Sequence, residues 1–296
     1  MKPGVYDIPA SQYHADNFGI GPSLSSGIAK LLVDNSPLHA WHAHPRLNRN
    51  WQPDDDRKFD MGKAVHAAVL GTPALARIDA DDYRTKLAQE QRESALARGS
   101  IPVLAHKMTE IAAIKYAITG QLRDHEARDA MTAGKPEQVI VWREDESWCR
   151  CRLDWLPNKG NIFYDLKSTA QSAHPQDWVR ALYNQGADLQ SAFYRRGIKS
   201  VLGIADPIFR FVVVEIEPPY ALTVLQLSPS ALDLADRKVE YAIATWAKCL
   251  RENTWPGYGN RVFHVDAPAW KAMQFEERAV AREIAADEAL TILGAG

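Results

Sequence analysis

Residues 138–167 read QVIVWREDESWCRCRLDWLPNKGNIFYDLK, and this stretch decides the fold. It contains three runs, at 138–143, 148–156 and 162–167, that are each typical of a β-strand. The runs are rich in aliphatic and aromatic residues, and in the second run apolar and polar residues alternate. The segments between the runs, EDES and PNKGN, have the composition of turns. Because short turns join consecutive runs, we predict an antiparallel meander of three strands.

Helical periodicity dominates on both sides of this stretch. Apolar residues recur at intervals of three and four before Gly71, which predicts an amphipathic helix at 59–70. Further helices are predicted at 25–33, with Ser23 or Ser25 as the cap, and at 81–98, 102–132, 175–199 and 230–253, and further strands at 208–217 and 221–227. This order of elements predicts an α/β protein, a sheet core covered by helices.

The chain shows no Gly, Ser or Pro-rich linker between its helical first half and its strand-rich second half. We therefore predict one domain over 1–270, with a mainly helical N-terminal part at 1–134 and the sheet core with its covering helices at 135–270. The remaining segment, 271–296, is polar and rich in alanine, and we expect it to be helical or frayed.

Composition limits the class of protein. Among 296 residues, 46% are apolar and 24% charged, which is typical of a globular protein and excludes a disordered or fibrous one. A net charge of −2 excludes a protein that coats nucleic acid with its whole surface, although one basic groove remains compatible. Three cysteines are too few for a disulfide framework. Without an apolar leader or a run of eighteen apolar residues, we expect a cytoplasmic protein with no membrane contact.

Two carboxylates and an amine carry the candidate chemistry. Asp165 and Lys167 are two residues apart on a predicted strand, so their side chains lie on the same face. Asp154 ends the preceding strand, and the short turn brings it next to Asp165. Converging carboxylates repel unless a cation lies between them, and oxygen ligands suit Mg²⁺ or Mn²⁺. The pattern indicates a site for phosphodiester hydrolysis, although Asp-x-Lys alone also fits a solvated ion pair.

Five motifs in order resemble those of RecE- and RecB-type nucleases. They are Gly62-x₃-His66-x₃-Leu70, the acidic Glu137 that opens a strand, Arg152-x-Asp154, Asp165-x-Lys167-Ser168 and Gln190-x₃-Tyr194. The segments 6–25 and 255–258 are also similar to phage and prophage RecE-type exonucleases, so the resemblance covers about 5–270. Two departures are the missing proline before Asp154 and serine instead of threonine at 168.

The resemblance implies the restriction-endonuclease-like fold of the PD-(D/E)xK superfamily, with a mixed sheet core flanked by helices and a helical N-terminal elaboration. It also implies a metal site made by Asp154, Asp165, the backbone carbonyl of Leu166 and the imidazole of His66. Lys167 corresponds to the catalytic lysine. The cysteine quartet that holds an iron–sulfur cluster in some relatives is missing, so no such cluster is expected.

Further site residues are expected around this centre. By resemblance, Glu137 assists the metal or the water, and Gln190 and Tyr194, one helical turn apart, order the site and touch DNA. Arg195 and Arg196 follow directly and are candidates for phosphate contact. Each of these residues also has a plainer interpretation, as a packing or surface residue.

The function implied by the resemblance is a Mg²⁺-dependent exonuclease, with Mn²⁺ as a substitute, that acts on ends of linear double-stranded DNA in the 5′-to-3′ direction. The single strands it generates would serve recombination through a single-strand annealing protein, and a ring-like homo-oligomer is expected. Two alternatives stay open: a catalytically silent module that binds DNA ends or a partner, and a structure-specific endonuclease.

Overall fold

The computed structural model describes residues 1–53 and 60–293. Phe59, at the predicted start of a helix, and residues 294–296 of the predicted tail lie outside the described residues. By its packing, the chain divides into a unit at Met1–Gly257 and a second unit at Tyr258–Gly296. The single domain over 1–270 stays a prediction.

The first unit contains all the strands of the described residues. They are β1 (Gly4–Tyr6), β2 (Ser23–Leu24), β3 (Leu75–Ile78), β4 (Ile101–Leu104), β5 (Gly134–Glu144), β6 (Ser147–Pro157), β7 (Ile162–Thr169), β8 (Ile208–Glu215) and β9 (Leu222–Gln226). Its helices are α1 (Ala10–His14), α2 (Ser26–Asp34), α3 (Pro37–Ala43), α4 (Met61–Leu70), α5 (Lys86–Ala97), α6 (Ala105–Arg123), α7 (Pro175–Gln185), α8 (Ala187–Leu202) and α9 (Pro229–Glu252).

The second unit carries one helix in its described part, α10 (Ala269–Leu293). Several apolar side chains of this unit are exposed, among them Val265, Trp270 and Phe275. In the ranges 1–53 and 60–293, none of the helices has the length and apolar character needed to cross a bilayer.

The strands form mixed sheets, as the predicted fold class requires. One sheet has the order β1-β5-β6-β2, in which β5 and β6 form an antiparallel hairpin and β2 pairs with β6 in parallel. A second has the order β7-β8-β9, with β7 parallel to β8 and β9 antiparallel to β8. The short strands β3 and β4 pair in parallel. The protein is thus a mixed α/β structure with mixed sheets flanked by helices.

The predicted three-strand meander is wrong for its third strand. β7 pairs with β8, Asp165 lying opposite Phe211, and does not join the ladder of β6 although the two strands are in contact. The Leu166 amide donates instead to the side chain of Asp154, with 2.8 Å between N and Oδ2. A carboxylate on β6 thus accepts a hydrogen bond that a backbone carbonyl accepts in a regular meander.

Two of the predicted helices are confirmed, the first with one of its two predicted caps and the second with its predicted stop at Gly71. α2 begins after Ser25, whose side chain accepts from the Ile28 amide. α4 is capped by Asp60 and ends at Gly71, which adopts the left-handed conformation.

Other predicted helices were too long. The helix predicted at 102–132 is preceded by β4 and extends only over α6, and that predicted at 81–98 begins at Lys86. The helix predicted at 175–199 is two helices, because Gly186 has a φ of 73° and packs against the aliphatic part of Lys30. The left-handed backbone at Gly186 is a conformation that side chains with a β-carbon rarely adopt, so this break favours glycine.

β7 lies between two hydrophobic cores, and this places the candidate site. Phe163 belongs to the larger core with Phe193 and Phe211, whereas Leu166 belongs to a smaller core with Val65 of α4. A strand that is covered on both faces must bury whatever polar residues it carries. The Asp165 side chain is buried for this reason.

Candidate active site

Asp165, Lys167 and Gln190 form a closed triangle of polar contacts. Lys167 Nζ lies 2.7 Å from Asp165 Oδ2, as the alternation of side chains along β7 predicts. From α8, the Gln190 amide donates to Asp165 Oδ1 (2.6 Å) and accepts from Lys167 Nζ (3.0 Å). The three contacts fix the positions of the carboxylate and the ammonium relative to each other.

Asp154 joins this triangle to α4. Its Oδ2 atom accepts from the Leu166 amide of β7 and lies 2.9 Å from Nε2 of His66. Asp154 therefore connects β6, β7 and α4 within one hydrogen-bonded group.

Glu137 and Arg152 extend the group on the β5–β6 hairpin. Glu137 Oε1 lies 3.5 Å from His66 Nδ1, and Glu137 Oε2 lies 2.6 Å from Arg152 Nε. Both ring nitrogens of His66 thus face carboxylates, one on each strand of the hairpin. The sequence motif contains Arg152 but indicates no role for it. Its position two residues before Asp154, on the same strand face, is the signal that points to this site.

Glu137 has a strained backbone. Its φ is 57°. Residues 134–136 and 138–144 of β5 pair with β6, whereas Glu137, which lies opposite Asp154, does not. A non-glycine residue in this region costs about 1–3 kcal/mol and persists where surrounding contacts impose it. Here the ion pair to Arg152 and the contact with His66 hold the Glu137 side chain.

Gly62 allows α4 to approach β7 closely. A β-carbon at this position would lie 2.4 Å from Ser168 Oγ, closer than such atoms approach each other. Gly62 precedes His66 by four residues, so both lie on the same side of α4. The close approach is what brings the imidazole within reach of Asp154.

The two aspartates have opposite shifts in pKa. Burial raises the pKa of Asp165 to about 6, and the charge of Asp154 adds to the rise, while Lys167 opposes it. Burial would also raise the pKa of Asp154, but the contact with His66 and the charge of Lys167 outweigh it and lower the pKa. The charged form of Asp165 is therefore the unfavourable one, as expected where carboxylates converge.

The two basic groups favour their charged forms. Burial lowers the pKa of Lys167, but Asp165 and Asp154 outweigh it, so the pKa lies above its usual value of 10.5. For His66, the hydrogen bond to Asp154 and the carboxylate charges likewise outweigh burial and raise the pKa above 6.5. A charged Lys167 acts through its positive charge and its hydrogen-bond donors.

The donors match a hard divalent cation in kind. Asp165 Oδ2 is buried and has no well-aligned hydrogen-bond donor, and carboxylate oxygens are preferred ligands of Mg²⁺ and Mn²⁺. In the part of the chain that the structure describes, however, no three or more His, Cys, Asp or Glu side chains are arranged to hold a metal ion. His66 and Asp154 contact each other instead. The metal-ligand roles of Asp154, Asp165, His66 and Leu166 stay predictions.

The structure does not bring three of the predicted residues to this group. Tyr194 is buried in the larger core, its ring edge-to-face with that of Phe209. Arg195 donates to the Pro207 carbonyl and pairs with Asp206. Arg196 pairs with Glu144 and Glu240. The arginines are engaged within the protein, and none of the three lines the cleft described next.

A cleft of about 2320 Å³ opens beside the group. Its wall includes Lys167, Leu166, His66, Glu137 and Arg152. Ligand sites are typically concave, and the polar groups that fix a ligand line their walls. The candidate site is therefore accessible to a large molecule.

Comparison with known proteins agrees with this architecture. A family model described as "PDDEXK-like domain of unknown function (DUF3799)" matches residues 32–266. No curated protein matches the sequence.

Solved structures also resemble the chain. A protein from Eubacterium rectale, described as "Putative exonuclease", has a similar structure, with a TM-score of 0.57, 12% sequence identity, and coverage of 90% of this chain and 98% of that one. At this identity the likeness concerns the fold. A protein named SSO0001 is matched over 81% of this chain and 88% of its own with 8% identity and a TM-score of 0.30, which is too low to support an argument.

Proposed function

Because the chain belongs to the family of PDDEXK-like domains of unknown function, we propose that it is a nuclease that depends on a divalent metal ion. Nucleases of the PDDEXK type generally use such ions. The observation that carries the proposal is the meeting of Asp154, Asp165 and Lys167, from β6 and β7, with His66 and Gln190 from two helices beside one cleft. Residues that are far apart in the sequence thus come together in one cluster of contacting side chains.

The proposed ion is Mg²⁺, with Mn²⁺ as a substitute, held by Asp154, Asp165, His66 and the Leu166 carbonyl. When bound, the ion supplies positive charge for the phosphate and makes water a better nucleophile at neutral pH. Asp165 is buried and Asp154 is partly buried, and the charge of Asp154 raises the pKa of Asp165, so a cation between the two carboxylates would stabilise their charged forms.

The chain's own residues position and stabilise the reacting groups. Lys167 offsets the negative charge that develops on the phosphate, since this residue lines the cleft. Gln190 holds Lys167 and Asp165 in register by bonding both. Glu137 orients His66 from one side while Asp154 holds it from the other.

In its finer form, the proposal is an exonuclease that degrades ends of linear double-stranded DNA in the 5′-to-3′ direction. It rests on the motif resemblance to RecE-type exonucleases and on the likeness to the Eubacterium rectale protein described as "Putative exonuclease". The single strands would enter recombination through an annealing protein, and the protein would act in the cytoplasm as a homo-oligomer.

The proposal is tested by incubating the purified protein and Mg²⁺ with linear and covalently closed circular DNA. Loss of linear DNA alone is expected. Nicked or linearised circles would show an endonuclease, and no loss of either would show a silent binding module. Asp165→Ala is expected to abolish the loss of linear DNA, and a wild-type rate in this variant would refute the assignment of the site.

The direction of degradation is tested on duplexes that carry a label at one 5′ end or at one 3′ end. Early release of the 5′ label as mononucleotide is expected. Early release of the 3′ label would refute the 5′-to-3′ direction but not the nuclease.

A further inference from the structure

Aromatic side chains line the cleft beside the candidate active site. Trp41 of α3 and Trp51, in the segment after α3, belong to the same cleft wall as Lys167 and His66. Both tryptophans are half-buried and line the cleft. Neither belongs to the buried hydrophobic core.

The two indoles lack the ring partners that other aromatic residues of the protein have. Among the described residues, neither Trp41 nor Trp51 makes a ring–ring or cation–ring contact. Tyr83, on the same wall, differs, because the Arg92 guanidinium covers it at 4.6 Å from the ring centre. Neither another ring nor a cation of the described residues thus covers Trp41 or Trp51, in contrast to Tyr83.

The cleft also carries cations suited to a phosphate chain. Basic residues outnumber acidic ones on its wall, with Lys63, Arg92, Lys135, Arg152 and Lys167 against Asp7, Asp60 and Glu137. A groove that combines positive charge with accessible aromatic rings is the arrangement that binds single-stranded nucleic acid, because the charges follow the backbone and the rings stack on bases.

We propose that Trp41 and Trp51 stack on nucleobases with exposed faces, so that the cleft receives an unpaired strand that leads to Lys167. This inference deepens the proposed function and rests on it. Inside a duplex, both faces of each base are covered by neighbouring bases. A base face is accessible only in an unpaired strand or on the last pair of a blunt end. Two tryptophans in one cleft wall favour the unpaired strand, because it offers successive bases whereas a blunt end offers one terminal pair.

The experiment measures binding by fluorescence anisotropy with the full-length protein and with EDTA, so that no strand is cleaved. The probes are a labelled oligothymidylate, an abasic strand of the same length, a blunt duplex and a duplex with a single-stranded overhang. We expect the oligothymidylate and the overhang to bind more tightly than the abasic strand and the blunt duplex. Since stacking contributes about 1–3 kcal/mol per base, each ring should account for about 5- to 150-fold in affinity.

Variants assign this preference to the indoles. Trp41→Ala and Trp51→Ala are each expected to lose about 5-fold or more in affinity for oligothymidylate and to bind the abasic strand as the wild type does. Trp51→Phe, which keeps a ring, should retain most of the affinity. Tyr241→Ala is the matched control, because Tyr241 is an exposed aromatic residue on α9 that does not line the cleft.

Three results would overturn the inference. One is equal affinity of the wild type for the oligothymidylate and the abasic strand, which requires no variant to fold. Another is unchanged affinity in both alanine variants. The third is tightest binding to the blunt duplex, which would assign the rings to the terminal base pair. Metal-dependent cleavage without a base preference refutes this inference alone, whereas a base preference without any cleavage refutes the proposed nuclease alone.

Discussion

Replacing Gly62 with alanine is expected to displace either the Ser168 hydroxyl or helix α4 from its place on β7. The new β-carbon would lie 2.4 Å from Ser168 Oγ and 3.2 Å from Asp60 Oδ1, the oxygen that caps the helix. Normal contact needs about 1 Å more at Ser168, and overpacking of this kind costs about 1–3 kcal/mol. Alanine also favours the helix over glycine by up to about 1 kcal/mol, which offsets part of the cost.

A double-mutant cycle separates the clash from the helical preference. Ser168→Ala removes the Oγ atom and leaves Ser168 Cβ, at 3.7 Å, as the nearest atom of that residue to the new methyl group. Gly62→Ala should therefore lower the free energy of unfolding less in the Ser168→Ala background than in the wild type. We expect a coupling free energy of about 1–3 kcal/mol, because the helical preference is the same in both backgrounds and cancels.

The assay is urea unfolding of the wild type, both single variants and the double variant at one pH. Nuclease activity is measured on the same four proteins, since a shift of α4 would also move His66 away from Asp154, which it contacts at 2.9 Å. Activity should fall in Gly62→Ala and recover in the double variant. If the changes in free energy of unfolding of the two single variants add up to that of the double variant within about 0.5 kcal/mol, close packing of α4 on β7 is refuted as the reason for glycine.

Three further outcomes are expected. Asp165→Asn should abolish nuclease activity and yet raise the free energy of unfolding at pH 7 by up to about 3 kcal/mol. The reason is that the pKa of Asp165 is about 6 in the folded state and 3.8 in the unfolded chain, so the group stabilises the fold below pH 3.8 and this stability is lost as the pH rises through 6. A variant that is less stable than the wild type in urea at pH 7 would contradict this. Burial lowers the pKa of His44 from 6.5 to about 3, so the protein loses stability as the pH falls below 6.5. Between pH 6.5 and 5, the free energy of unfolding of His44→Gln should therefore fall by about 2 kcal/mol less than that of the wild type. An equal fall in both proteins would rule this out. Arg152→Ala should lower the free energy of unfolding by about 1–3 kcal/mol and slow cleavage, because Glu137 loses its ion-pair partner. Arg152→Lys should have stability and activity between those of Arg152→Ala and the wild type. An unchanged cleavage rate would show that the pair does not support the site.

Local chemistry determined several features of this protein in advance. Period-two alternation along the third run of residues 138–167 places Asp165 next to Lys167 whatever β7 pairs with, because it depends only on the extended backbone. The ends of α4 follow from Asp60 and Gly71, a cap and a left-handed stop that act within one helical turn.

Tertiary structure decided what lies around those residues. The pairing of β7 with β8 depends on partners more than forty residues away, and no pattern within either strand specifies it. Glu137 combines a positive φ with contacts to Arg152 and His66, which come from other elements.

Helix α8 shows the same limit. Gln190 and Tyr194 share a helical spacing, but only the packing of α8 between the sheets decides that Gln190 meets Asp165 while Tyr194 enters the core. Arg196, two residues after Tyr194, pairs with Glu144 of β5, so its charge is neutralised within the protein. Spacing along a chain determines which residues share a face, whereas the surface that the face meets is set by the competition of all elements for burial, and that competition exists only in the folded chain.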